Sequence, residues 1–258
     1  MGVLVRKEIR QAWRSFRLPA LFLVLLFLAI MDPLTARYMG EILARLAQGV
    51  TIVVPPPSPG QAVAQYLGDI VEIGLLVVIA ITMGSVANEK ASGVTTFVVT
   101  RPASRRSYVA AKFVVLAGGV VAAIIAGTLV AGLYTWTLLG APEWGRVGLA
   151  ALSVALYVWL VFSATFAASM VAGSGLAAGG LGLATMIVMG AAGAVLGGTE
   201  VGPYLPSVLV GNVRFLLAGT TGNVDVWARL VRPGITALVL SALFLLLGYG
   251  RFRRQPLP

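Results

Sequence analysis

Long uncharged apolar runs alternate with short stretches that hold nearly all the charge of this 258-residue chain. A helix crosses the hydrocarbon of a bilayer, about 30 Å thick, with about 20 mostly apolar residues. Six runs meet that requirement: 18–35, 66–88, 113–139, 147–172, 176–198 and 233–250. The third to the sixth carry no charge at all. The pattern predicts an all-α polytopic membrane protein with six transmembrane helices, a single transmembrane domain over 1–258.

Composition agrees. The chain is 59% hydrophobic and 11% charged, with a mean hydropathy of +0.94. Soluble domains carry about 25% charged residues, so water could not solvate this surface. Histidine and cysteine are both absent. That removes Ser-His-Asp and Cys-His nucleophile systems, the usual zinc ligands and disulfides. No catalytic, cofactor-binding or metal site is expected.

Lysine and arginine number 19 against 9 acids, a net +10. A basic balance can mark nucleic-acid binding. In so apolar a chain it is read instead as orientation, because cytoplasmic loops collect Lys and Arg. With both termini cytoplasmic, thirteen of the 19 bases fall inside: five before the first run, five between the second and third, three in the tail. No nucleic-acid partner is expected, and the location is the cell membrane.

The flanking segments have their own patterns. Val5, Ile9, Trp13 and Phe16 recur at helical spacing beside Arg6, Arg10, Arg14 and Arg17. This predicts an amphipathic elbow helix lying among inner headgroups, with membrane lipid as its partner. The first run is read as an uncleaved anchor, since no small-x-small site follows it. Residues 36–48 form a second amphipathic candidate, in which Arg37, Glu41 and Arg45 can pair. Pro55, Pro56, Pro57 and Pro59 then predict an extended linker. The mixed segment 199–232 is too interrupted to span; it is either a surface loop or a dip into the bilayer edge.

Other candidate features yield to plainer readings. Asp69 and Glu72 are the acids nearest lipid. Glu72 lies 16 residues from Asn88, or about 24 Å, near the outer boundary where acids are ordinary. Gly173-Ser174-Gly175 looks like a serine nucleophile motif but has no histidine base, and reads as a turn. The pairs Gly175/Gly179 and Gly193/Gly197 read as sites of close helix approach. The lysines are Lys7, Lys90 and Lys112, and none follows a phosphate-binding glycine loop. ATP-driven action would therefore need another chain.

The loop over 89–112 is the informative one. It carries five bases and one acid, and Gly93 and Pro102 interrupt it. Phe97, Val98 and Val99 are apolar residues set outside the lipid and rimmed by charge. The residues alone leave two readings open, a docking surface or a headgroup-binding loop.

This loop resembles the inner-loop signature of the type-2 ATP-binding-cassette (ABC-2) permease family. The matching residues are Glu89-Lys90, Gly93, Phe97 to Val99, Pro102, Ser104-Arg105 and Lys112. Val94 departs from the Thr or Ser usual after the glycine. The resemblance implies a coupling helix that docks on a separate ATPase subunit, which supplies the ATP chemistry. It also implies a second permease chain, as homodimer or heterodimer, and usually export. On that basis Glu89 opens the coupling helix, Phe97 and Val98 fill the ATPase groove, and Arg101, Arg105 and Arg106 meet its rim. Lys90, Gly93 and Pro102 complete the motif, and Lys112 anchors the third span at the interface. The alternative is a self-sufficient secondary carrier or channel, which the uncharged interiors of spans three to six disfavour. The cargo is not readable from an apolar helix face.

Overall fold

The computed structural model describes residues 2–46, 57–92, 104–217, 225 and 227–255. Every regular element among them is helical. In chain order these are α1 (Gly2–Arg14), α2 (Arg17–Leu46), α3 (Pro59–Asp69), α4 (Leu75–Met83), α5 (Ala87–Ala91), α6 (Arg105–Leu139), α7 (Trp144–Val171), α8 (Gly175–Leu196), α9 (Val208–Leu217) and α10 (Arg232–Arg254). A π-helical turn, Ile70–Gly74, joins α3 to α4, and another, Trp227–Val231, leads into α10. Six stretches are long and apolar enough to cross a membrane: Arg17–Leu43, Pro59–Ala91, Arg105–Leu139, Trp144–Val171, Gly175–Leu196 and Trp227–Arg254.

Several of these helices outrun the apolar runs that predicted them. The 30 residues of α2 reach about 45 Å, well beyond a 30 Å hydrocarbon layer. The helix therefore continues through Leu46, and the segment expected as a separate amphipathic helix is its far end. Arg37, Glu41 and Arg45 form no ion pair there; Arg37 lies over the Tyr38 ring, 5.6 Å from its centroid. The second crossing starts at Pro59 rather than at 66, because Ser58 and Gln61 form a reciprocal capping box. Of the prolines expected in an extended linker, Pro55 and Pro56 lie outside the described residues, and Pro59 instead opens α3. The third starts at Arg105 rather than at 113, because Ser104 Oγ accepts the Ser107 amide at 3.1 Å. Residues 105–112 are thus helix, not loop.

The long α7 is the central post. It packs against α10, α8, α9 and α4, while α2 packs against α6. Phe113 of α6 joins Trp159, Phe162 and Phe166 of α7 in an aromatic cluster, with centroids 5.3–5.6 Å from Phe113. The pair Gly175/Gly179 lets α8 sit close to the second crossing: a Cβ there would meet Asn88 Oδ1 at 2.7 Å and Met83 Sδ at 2.6 Å. Elsewhere α8 is largely uncovered, with Leu176, Leu181, Ile187, Val188 and Val195 exposed.

The second crossing breaks after Met83. Two amides freed by the break, those of Val86 and Ala87, both donate to Ser169 Oγ of α7, at 3.0 and 3.1 Å. Ser169 is fully buried. Ser169→Ala strands both donors, each costing about 1–3 kcal/mol. We expect the variant to unfold in detergent at a clearly lower temperature than wild type, with no loss of helix content by circular dichroism below that point.

Candidate functional site

The N-terminal helix, the break in the second crossing, the start of α6 and the last turn of α10 meet at one end of the bundle. This is where thirteen of the 19 bases were counted. Geometry at this end begins with the turn out of α1. Phe16 adopts φ +58°, a left-handed conformation that ends α1. Its carbonyl then accepts the Ala20 amide inside α2. The turn lays α1 against α6 with Glu8 and Ala12 buried beneath it.

Lys112 is the hub. Its side chain is 1% exposed, and its Nζ sits 2.9 Å from Glu8 Oε2 and 2.6 Å from Glu89 Oε1. Glu89 also accepts the Tyr108 hydroxyl at 2.6 Å and the Gln11 amide at 2.9 Å. Lys7 supports Glu8 from the exposed side at 3.2 Å. One buried ammonium is thus shared by two carboxylates; neutral donors complete the shell of Glu89, and Lys7 takes the other oxygen of Glu8. Buried ions need that completeness, because desolvation otherwise exceeds the mutual attraction. The cluster joins α1, α5 and α6 at a single point.

A second latch lies beside it. Lys90 Nζ donates to the carbonyls of Met170 and Val171, at 2.9 and 3.4 Å, and to Gln255 Oε1 at 3.0 Å. The Arg105 guanidinium donates to the carbonyls of Phe252, Arg253 and Gln255, at 3.4, 3.1 and 3.1 Å. Both cations therefore cap helix C-termini, where carbonyls lack internal donors. Lys90 and Arg105 stand on the two sides of segment 93–103. Each is fastened to the C-terminal turn of the sixth crossing.

Of the residues singled out in the sequence, Glu89, Lys90, Arg105 and Lys112 come together here. Arg106 is exposed at the start of α6. Gly93, Phe97, Val98, Arg101 and Pro102 lie outside the described residues. Two readings change. Lys112 does not reach to the interface; its ammonium is enclosed by protein. Glu89 does occupy the first turn of a helix, but of α5, and it is spent on Lys112.

Glu8, Gln11, Tyr108, Ser169 and Gln255 were not anticipated. Two had a signal. Glu8 is the lone acid in an otherwise basic N-terminal segment, and Tyr108 lies four residues before Lys112, one helical turn away.

Comparison with known proteins bears on the whole chain. The family model described as ABC-2 family transporter protein matches residues 3–257. A relative described as uncharacterized transmembrane protein YxlG, of Bacillus subtilis (strain 168), is 31% identical over 169 residues. That match covers 64% of this chain and 64% of the relative, so the chain spans just under two thirds of its length. With a family match running nearly end to end and six helices fit to cross a membrane, the chain belongs to the ABC-2 transporter family, as a multi-pass permease component in the cell membrane.

Proposed function

We propose that this permease subunit is driven by a separate ATP-binding-cassette ATPase acting on segment 93–103, and that it works as an exporter. The basic end is cytoplasmic on this reading, by the excess of Lys and Arg there. The observation that carries it is the fastening of both sides of that segment. Lys90 and Arg105 hold the sixth crossing, while Glu89 and Lys112 hold the elbow helix. A push on the segment then reaches α1, α6, α7 and α10 together rather than bending a loose loop. The exposed apolar face of α8 suits lipid or a second permease chain, homodimeric or heterodimeric.

The test is ATP hydrolysis by the ATPase that co-purifies with this chain, in liposomes. Arg106 is exposed and touches neither latch, so Arg106→Glu should reduce permease-stimulated hydrolysis several-fold without altering insertion. Unchanged stimulation, or no co-purifying ATPase, would sink the coupling assignment. One observation favours a second reading, a self-sufficient carrier: Asp32, inside the first crossing, is buried. Transport by liposomes lacking any ATPase would select that reading.

A further inference from the structure

Toward the end of the bundle opposite the basic one, three neighbouring acids, Asp32, Asp69 and Glu72, have no counter-ion among the described residues. Asp32 of α2 and Asp69 of α3 lie close enough to interact. Asp32 is 5% exposed, and its Oδ2 has no hydrogen-bond partner. The Tyr66 hydroxyl is fully buried within the field of Asp32, with Thr128 of α6 beside it. Neither hydroxyl has a hydrogen-bond partner either. No described residue forms an ion pair with Asp32, Asp69 or Glu72. Buried polar atoms of this kind are normally paired, so the cluster is left unsatisfied.

A groove of about 670 Å³ opens beside it, between α3 and α9. Its walls include Gln61, Gln65, Asp69, Glu72, Val213 and Arg214. The π turn Ile70–Gly74 widens the helix directly after Asp69 and carries Glu72; such turns often accompany functional sites. Gly68 and Gly211 border the groove too, and a Cβ added at either meets nothing within 4 Å. The space is therefore open rather than filled by neighbouring side chains. Asp32 lies 15 residues along α2 from Arg17, about 22 Å, within the far half of a 30 Å hydrocarbon layer, while Asp69 and Glu72, 19 and 16 residues from Asn88, lie nearer its far boundary.

We infer that this groove binds the protonated amine of an amphiphile, its ammonium held by Asp69 and Glu72 and its chain lying along the apolar wall of α9. An ammonium brings three donors and no acceptor, which suits a pocket rich in carboxylate and amide oxygens. The single guanidinium of Arg214 leaves the acids in excess, which disfavours an anionic head. Val213, Leu217 and Ala64 supply apolar surface next to the charged end. Binding rests on the groove alone; only the further step, that the amphiphile is cargo, rests on the permease reading.

The experiment uses the full chain in phosphatidylcholine nanodiscs, without ATPase. Nitroxide-labelled octadecylamine, octadecanol and octadecyl phosphate are compared by the motionally restricted fraction of their spin-resonance spectra. The amine should be retained about fivefold more tightly than the alcohol, as charge-assisted hydrogen bonds imply. Asp69→Asn with Glu72→Gln should bring it down to the alcohol's level. Gly68→Leu should do the same by filling the groove with every charge intact, and it carries the test if the double variant fails to fold. Arg214→Gln should leave the preference for amine in place. Equal retention of amine and alcohol, preference for the phosphate, or a preference that survives Gly68→Leu would each overturn the inference. A failure of ATPase coupling would leave all of these results unchanged.

Discussion

Lys112→Met lowers the thermal midpoint of the purified protein by on the order of 10 °C, corresponding to a loss of about 3–5 kcal/mol. The methionine replaces the alkyl stem almost without a change in shape. What disappears is the ammonium that lies 2.9 Å from Glu8 and 2.6 Å from Glu89. Two carboxylates then remain at a site where their side chains are only 9% and 13% exposed. Their mutual repulsion and lost solvation make the defect large: the half-exposed Lys7 still faces Glu8, but Gln11 and Tyr108 cannot neutralise Glu89. The reverse experiment isolates that cause. Adding Glu8→Gln and Glu89→Gln to Lys112→Met removes all three charges, and most of the midpoint should return. A single variant as stable as wild type, measured by a scanning assay in the same detergent, would mean that the network is not closed as described.

The same variant tests the proposed coupling to an ATPase. Below its midpoint, Lys112→Met keeps the helices but frees α1 from the base of segment 93–103. Permease-stimulated ATP hydrolysis should fall, while the ATPase alone is unaffected. The neutral triple variant separates charge from position. If it restores stability without restoring stimulation, the ion pairs themselves hold the geometry that the ATPase engages. Recovery of both would assign the role to shape.

How far the sequence carries the reader can be judged from these residues. The six crossings were legible because a bilayer leaves few alternatives to long apolar helices. The helix ends were not. Hydrophobicity stops at the edge of the hydrocarbon, whereas the hydrogen-bond ladder stops at caps such as Ser58 and Ser104. Residues flanking the inner loop were found by resemblance to a known motif. Their partners were not, because Glu89–Gln11, Lys112–Glu8 and Lys90–Gln255 are separated by 78, 104 and 165 residues. No local period encodes such meetings. Asp32 shows the opposite failure. In the sequence it only closes the first apolar run; its burial depends on α3 and α6 facing α2.

Phe252→Ala has a comparable effect by a different route. Phe252 is fully buried in the last turn of α10. One turn earlier, Gly248 lies against α7: a Cβ there would come within 3.0 Å of Ala167 and Met170. Truncating so enclosed a ring costs about 3–5 kcal/mol, since the neighbouring helices cannot collapse onto the space. The consequence extends to the polar latch. Arg105 grips the carbonyls of Phe252, Arg253 and Gln255, and these stay in reach only while the turn is seated by the ring. Gln255→Ala is the contrasting variant. It removes one acceptor from Lys90, which keeps the carbonyls of Met170 and Val171, and one donor to the Val171 carbonyl, so its cost should be about 1–2 kcal/mol. Thermal midpoints in one detergent should therefore fall much further for Phe252→Ala than for Gln255→Ala, and permease-stimulated hydrolysis should follow the same order. Equal losses would show that the tail is held by its polar contacts alone, leaving the buried ring no part in joining the sixth crossing to Lys90 and Arg105.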